Sequence, residues 1–170
     1  EHFLYIAQAM DNIGSEKNGL WDEEDGFFYD LLNMSDGSSV NLKLRSIVGL
    51  IPLFAVEVIS HNLIEKLPNF KKRMDWVLKN KPELTKLVSH WYVEGEGNKH
   101  LISILRRKRL TKVLQRMVDQ EEFLSDYGIR AMSKVYEKNP FRFNINGQEH
   151  VVHYTPAESD SNMFGGNSNW

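Results

Sequence analysis

The residues best suited to chemistry lie near the end of the chain, where short polar side chains and an aromatic ring stand close together. Glu158–Asn162 and Gly165–Trp170 combine carboxylates, amides, hydroxyls and an indole. Short polar groups pair with the hydroxyl groups of a sugar, and a flat apolar ring packs against its C–H bonds. This mixture is what a sugar-binding loop requires, although composition alone favours a plain surface loop of turn-forming residues.

A cluster of acidic residues lies between Asp22 and Asp30. A calcium loop of the helix–loop–helix type requires glycine at its sixth position, and counting from Asp22 this position is Phe27. The calcium interpretation therefore fails, and a hairpin tip with surface carboxylates is favoured. Asp30 follows three aromatic residues and is expected to face inward.

The histidines offer no ligand pattern. His150 and His153 lie three residues apart on a predicted strand, so their side chains should point to opposite faces. Neither a nucleophile elbow nor a glycine-rich dinucleotide fingerprint occurs in the chain. We therefore predict no metal site, no cofactor and no catalytic residue from such motifs.

A run of cations begins at Arg106–Arg109 and continues with Lys112 and Arg116. Such a run usually forms a solvated helix face, and a phosphate-binding surface is the alternative. No aromatic residues interleave with the cations to stack on bases. We therefore expect no nucleic-acid partner.

The composition is that of a globular chain. Its 170 residues include 21 Lys+Arg and 23 Asp+Glu, for a net charge of −2, and no Cys. The longest apolar run, residues 47–59, is interrupted by Gly49, Pro52 and Glu57, so no membrane span is expected. The chain opens without a signal-peptide pattern, and we expect a cytoplasmic location. It starts at Glu1 without Met and stops within a polar loop, which suggests a window of a longer protein.

Helical spacing of apolar residues dominates the remainder of the chain. Helices are predicted over residues 3–13, 46–59, 70–79, 101–118 and about 125–136. Turn signals at Asp25-Gly26, Asp36-Gly37 and Asn146-Gly147 predict β-hairpins between them. The sequence thus predicts a mainly α fold with small inserted antiparallel β-hairpins.

Four strings of residues carry a resemblance to a known family. They are Gly19–Asp30, Ser46–Phe54, Phe123–Arg130, and Pro156–Ser161 followed by Phe164–Trp170. In this order, and over nearly the whole chain, they resemble glycoside hydrolase family 63, above all its microbial members.

The resemblance implies a fold and an activity. The fold is an (α/α)6 toroid, of which residues 1–170 would be a partial, interior fragment of one catalytic domain. The activity is inverting hydrolysis of α-linked glucosides or mannosides, which requires an acid and a base roughly 6.5–9.5 Å apart. The family's acid and base lie in segments that this sequence does not contain, so we expect the parent protein to be a glycoside hydrolase and the fragment alone to be inactive.

The resemblance also implies contacts with substrate. Trp170 matches an aromatic wall of the sugar subsite, and Arg130 would bond sugar hydroxyls or form a structural ion pair. The full set of predicted substrate-binding residues is Trp170, Asn169, Arg130, Tyr127, Asp30, Asp22 and Glu158. The expected partners are an oligosaccharide or small glycoside and the remainder of the catalytic domain, without a membrane partner. The alternative is a non-catalytic carbohydrate-binding or helical scaffold protein.

Overall fold

The structure of the chain is a computed structural model. It describes residues 2–12, 19–86 and 92–156. These residues fall into two compact units. Unit 1 combines the described residues up to Trp21 with Pro52–Thr111, and unit 2 combines Asp22–Ile51 with the described residues from Lys112 onward.

Helices and short strands alternate along the described residues. The α-helices are α1 (His2–Asn12), α2 (His61–Glu65), α3 (Pro68–Asn80), α4 (Pro82–Thr85) and α5 (Arg107–Met117). The strands are β1 (Trp21–Asp22), β2 (Phe27–Phe28), β3 (Asp30–Asn33), β4 (Ser39–Leu42), β5 (Val56–Ser60), β6 (Lys99–Ser103), β7 (Leu124–Ser125), β8 (Gly128–Ile129), β9 (Phe141–Ile145) and β10 (Gln148–Val152). Two 3₁₀ helices, Ile47–Phe54 and Lys134–Tyr136, complete the described elements.

Among the described residues the strands form five separate two-stranded sheets. They pair as β1 with β2, β3 with β4, β5 with β6, β7 with β8, and β9 with β10. A two-stranded sheet is marginal in water by itself, so each sheet depends on packing against other elements. The hydrophobic contacts of each unit therefore carry much of its stability.

Unit 1 is organised around the antiparallel pair β5–β6, whose register runs from Val56 opposite Ser103 to Ser60 opposite Lys99. Ser60 also caps α2, because its hydroxyl accepts a hydrogen bond from the backbone N–H of Leu63. The helices α3 and α4 each begin with proline, which suits the first helical position because no intrahelical N–H is lost there. The buried apolar residues of this unit are Leu4, Ala7, Ile64, Val77, Leu84, Ile104 and Leu105.

Unit 2 is built around Phe27, which is fully buried. Its ring stacks on that of Phe123 with 5.7 Å between centroids and meets the ring of Tyr29 edge-on at 5.5 Å. Gly49 lies against the same ring, since a Cβ there would come within 2.3 Å of a Phe27 ring carbon. The aromatic core thus requires a residue without a side chain at position 49.

One buried carboxylate and three partly buried charges form ion pairs in the same unit. Arg45 donates to Glu122 and Asp25, with 3.3 Å between the paired atoms in each case, and Arg116 also pairs with Glu122. The other carboxylate oxygen of Glu122 accepts a hydrogen bond from the hydroxyl of Ser133 at 3.2 Å. A carboxylate this buried is tolerated because two guanidinium groups and a hydroxyl replace its water. We call Asp25, Arg45, Arg116 and Glu122 the charged cluster of unit 2.

Two tyrosine hydroxyls form hydrogen bonds with residues of the charged cluster. The hydroxyl of Tyr29 donates to Asp25 at 3.1 Å, and burial raises the pKa of Tyr29 to about 12. The hydroxyl of Tyr136 accepts from the backbone N–H of Arg45 and donates to the carbonyl of Lys43. Burial likewise raises the pKa of Tyr136, so both phenols stay protonated as hydrogen-bond donors at neutral pH.

The predicted mainly α toroid is wrong, because the described residues form a mixed α and β structure with five two-stranded sheets. Ring architectures of that class need paired helices throughout, whereas here strands occupy three of the predicted helices. Residues 46–59 were predicted to be one buried helix. They form a 3₁₀ helix and then β5, in which Val56 and Val58 are 49% and 52% exposed.

The physical reason is pairing between distant segments. Pro52 lacks the N–H that a continuing helix needs, and the β-branched Val56, Val58 and Ile59 favour an extended backbone. Their partner strand, Lys99–Ser103, takes the first turn of the helix predicted over residues 101–118, and only Arg107–Met117 remains helical. The helix predicted near residues 125–136 is replaced by β7–β8 and a short 3₁₀ turn.

The local signals gave correct predictions. Helices near residues 3–13 and 70–79 are confirmed as α1 and α3. The hairpins at Asp36-Gly37 and Asn146-Gly147 are confirmed by the pairs β3–β4 and β9–β10. At the second turn Asn146 and Gly147 have φ values of 52° and 80°, the left-handed conformation that such a two-residue turn requires. In the described part of the chain, no helix is long and apolar enough to cross a membrane.

We predict that Gly49→Ala destabilises the chain by about 3 kcal/mol, because the added methyl group overlaps the Phe27 ring and the Phe28 carbonyl. The control is Gly37→Ala, where a Cβ meets nothing within 4 Å and only the φ of 85° opposes alanine, at a cost of about 1–2 kcal/mol. Urea denaturation followed by circular dichroism measures both. Equal losses would show that the core does not close on Gly49.

We also predict that Glu122→Gln destabilises the chain by about 3 kcal/mol, because Arg45 and Arg116 lose the charge that compensates their burial. The neighbouring substitution Glu121→Gln is the matched control. Glu121 pairs with Lys134 while its side chain is 79% exposed, so this change should cost under about 1 kcal/mol. The account of the core is contradicted if the two variants have the same urea midpoint.

Candidate functional site

A cavity of about 330 Å³ opens on unit 2 beside the β7–β8 hairpin. Its volume lies in the range of small-molecule sites in proteins. Two tyrosines line it together with residues that carry hydroxyl, amide, carboxylate and cationic groups. The residues that line it are Gln120, Glu121, Leu124, Ser125, Asp126, Tyr127, Arg130, Lys134, Tyr154 and Pro156.

The β7–β8 hairpin presents Tyr127 at its tip. Leu124 lies opposite Ile129 and Ser125 opposite Gly128, which leaves Asp126 and Tyr127 as the two-residue turn. Gly128 has a φ of 122°, a conformation that side-chain-bearing residues rarely adopt. The hydroxyl of Ser125 donates to the Gly128 carbonyl at 2.9 Å and accepts from the Tyr127 N–H at 3.2 Å. The backbone of the turn is thereby fixed, while the Tyr127 residue is 85% exposed.

Arg130 shapes the cavity wall. Its guanidinium donates to the backbone carbonyls of Gln120, Glu122 and Leu124, and its own N–H bonds the carbonyl of Phe123 at 2.8 Å. These bonds fold the segment between residues 119 and 125 around one side chain. Arg130 thus connects the cavity to Glu122 of the charged cluster.

The charges that line the cavity balance. Glu121 and Asp126 supply two carboxylates, and Arg130 and Lys134 supply two cations. Lys134 lies 3.1 Å from Glu121, and Arg130 is committed to backbone carbonyls. A neutral polar molecule suits such a lining better than a phosphate, which would need an excess of positive charge.

Only some of the site residues predicted from the sequence line the cavity. Tyr127 and Arg130 line the cavity together. Asp22 instead accepts a hydrogen bond from the Asp25 N–H at 2.8 Å and pairs with Lys43 at 2.7 Å. The bond from the Asp25 N–H, with that from Lys43, lowers the pKa of Asp22. Asp22 therefore has a structural role in fixing the hairpin tip.

Asp30 lies on β3 opposite Leu42 and is exposed, contrary to the inward orientation expected from the sequence. Glu158, Asn169 and Trp170 lie outside the described residues. Their contact with substrate stays a prediction, as does that of Tyr127, Arg130 and the two aspartates.

The cations of residues 106–116 are partly engaged within each unit. In unit 1 Arg109 pairs with Asp11 and lies 5.0 Å from the centroid of the Trp21 ring. In unit 2 Arg116 bonds the carbonyl of Asp25 in addition to Glu122. These guanidinium groups are anchored to protein acceptors, so the cationic run is less open than the sequence pattern indicated.

The sequence analysis missed a second cluster, in unit 1. His61, Glu94 and His100 bring one ligand atom each within 4.8 Å of one another. No spacing motif marks them, because they come from a helix start, a loop and a strand. The register of β5–β6, which places Ile59 opposite His100, is what brings the two histidines together. Only a correct prediction of that pairing could have revealed the cluster.

Comparison with known proteins gives one curated relative and no functional name. No family model matches the chain, and no solved structure matches it. The chain is 44% identical over 182 aligned residues to a Saccharomyces cerevisiae protein called "Uncharacterized protein YMR196W". The match covers 100% of this chain and 17% of the yeast protein, so the chain spans about a sixth of the length of that relative.

The predicted membership of glycoside hydrolase family 63 is therefore wrong. The relative that the chain matches carries no glycosidase name, and the described residues form helices with small antiparallel hairpins in place of the expected toroid. The strings that suggested the family are better explained by what they build here. Gly19–Asp30 forms an acidic hairpin tip, and Phe123–Arg130 forms the β7–β8 hairpin.

Proposed function

We propose that the cavity of unit 2 binds a sugar ring and that this chain contributes a carbohydrate-binding subsite. The observation that carries the proposal is the lining of the cavity, where Tyr127 and Tyr154 stand among hydroxyl, amide and carboxylate groups. A pyranose has polar edges and apolar faces, so its recognition needs both kinds of group around one ring-sized space.

The exposure of Tyr127 supports this proposal. A tyrosine residue that is 85% exposed contributes little to the core of its own unit, yet the hairpin backbone that carries it is fixed by Gly128 and Ser125. Because the hairpin backbone is already fixed, a ligand that packs on Tyr127 needs to order only the torsions of that side chain. Tyr127 is thus suited to stack against the C–H face of a sugar.

The polar groups support a neutral ligand. Gln120 offers an amide group, and Asp126 offers a carboxylate that accepts hydrogen bonds from sugar hydroxyls. The balanced charges of the lining disfavour anionic ligands. The ligand class is therefore a glycoside or oligosaccharide.

Hydrolysis of α-linked glucosides or mannosides is a proposal for a longer protein that contains this chain. We assign no catalytic acid or base to the cavity. The chain alone is expected to bind such sugars without turning them over.

The test is isothermal titration of the chain with α-linked glucose and mannose disaccharides. We expect saturable binding of at least one of them, and we expect Tyr127→Ala to weaken it by about fivefold to tenfold through loss of the stacked ring. Tyr5→Ala is the matched control, because Tyr5 is a 48% exposed tyrosine on α1 of unit 1. It should leave the affinity unchanged.

Two further measurements complete the experiment. The chain is titrated with inorganic phosphate, and it is incubated with the same disaccharides to test for released monosaccharide. Binding of phosphate but not of sugar would contradict the proposed ligand class. Equal affinities of the Tyr127→Ala and Tyr5→Ala variants would place the sugar elsewhere. Release of monosaccharide by the pure chain would contradict the assignment of the catalytic groups to other segments.

A further inference from the structure

The cluster of His61, Glu94 and His100 has the geometry of a metal site. The Nδ1 atom of His61 lies 3.3 Å from Nε2 of His100 and 3.7 Å from a carboxylate oxygen of Glu94. All three ligand atoms fall within 4.8 Å of one another. Zinc is bound at about 2.0–2.2 Å by nitrogen and oxygen, and the edge of a tetrahedron of that size is about 3.3–3.6 Å. Two of the observed separations are already close to this edge length.

A fourth residue occupies the position of an outer-sphere partner. The other ring nitrogen of His61, Nε2, lies 3.4 Å from a carboxylate oxygen of Glu65. Histidines that ligate a metal through one nitrogen commonly donate the other N–H to a carboxylate, which orients the ring and strengthens it as a ligand. Glu65 is in turn held by an ion pair with Lys71.

The backbone around the cluster is fixed by hydrogen bonds. The N–H of His61 donates to the carbonyl of Asn98 at 2.8 Å, and the N–H of Gly95 donates to the carbonyl of Lys99 at 2.8 Å. Asn98 adopts a φ of 54°, which closes the turn that leads into β6. The β5–β6 pair thus brings the segments of His61 and His100 together, and the turn that leads into β6 carries Glu94 beside them.

The three ligand residues differ in how far they are exposed to solvent. His100 is 6% exposed, whereas the side chains of His61 and Glu94 are 42% and 44% exposed. A metal ion would thus be anchored on a buried imidazole while an open side remains accessible from solvent. Three protein ligands with one open position is the arrangement of zinc sites that keep a water molecule or a substrate atom.

From this geometry we propose that unit 1 binds one divalent transition-metal ion, zinc above all, through His61, Glu94 and His100. Two imidazoles and one carboxylate suit zinc and its neighbours, whereas calcium and magnesium prefer sites made of oxygen atoms. The competing explanation of the 3.3 Å approach is a simple N–H···N hydrogen bond between the two rings. Such a hydrogen bond would form without Glu94, and it would give the chain no preference for one metal ion over another.

The experiment is a zinc titration of the full chain in competition with a chromophoric chelator. We expect one zinc ion per chain, at least tenfold weaker binding in Glu94→Gln, and about tenfold weaker binding in Glu65→Gln through loss of the outer-sphere partner. The matched control is Glu96→Gln, an exposed glutamate two residues from Glu94, which should bind zinc as the natural chain does. Magnesium at the same concentration should not compete.

A second readout separates metal ligation from loss of folding. Cobalt added in place of zinc should give the visible absorption of a four-coordinate ion, and Glu94→Gln should change that spectrum while the circular dichroism stays the same. Failure to bind zinc stoichiometrically would overturn the proposal in favour of a hydrogen-bonded histidine pair. Indistinguishable affinities of Glu94→Gln and Glu96→Gln would do the same.

Discussion

The buried carboxylate of Glu122, held between Arg45 and Arg116, is the interaction on which unit 2 depends. A buried carboxylate is tolerable only when partners replace its water, and here two partly buried guanidinium groups and the hydroxyl of Ser133 do so, while Asp25 pairs with Arg45. The cluster joins segments that are far apart in sequence, and its Arg116 lies 5.9 Å from the centroid of the Phe27 ring. The backbone around Glu122 also belongs to the wall of the cavity. Arg130, which lines the cavity, donates to the carbonyls of Gln120, Glu122 and Leu124.

Structural and functional roles are thereby separated between neighbouring residues. Glu122 is buried and fully committed, whereas Glu121 is exposed and lines the cavity. Arg130 is likewise committed to carbonyls, whereas Tyr127 contributes exposed aromatic surface on a fixed hairpin. In unit 1 the same distinction applies to His100, which is buried on a strand, and to Glu94, which is exposed in a loop. In both candidate sites, exposed side chains stand on backbone that hydrogen bonds fix.

The sequence predicted what depends on neighbours along the chain. The turns at Asp36-Gly37 and Asn146-Gly147 and the helix α3 follow from local propensity, and they are correct. The β5–β6 pair was missed because the apolar spacing of residues 101–105 fits a helix as well as a strand. The histidine cluster was missed for the same reason, because its members share no motif and only the β5–β6 pairing brings them together. Tyr127 and Arg130 were predicted as site residues through a resemblance to a family that the fold does not support, and both line the cavity.

The most direct measurement of the central claim is a nuclear magnetic resonance map of the chain titrated with an α-linked disaccharide. The account predicts that the amide chemical shifts change in residues 120–130 and near Lys134 and Tyr154, which line the cavity. The amide chemical shifts of unit 1 should stay unchanged. Shift changes confined to other surfaces, or no changes at saturating sugar, would contradict a carbohydrate-binding role for this cavity.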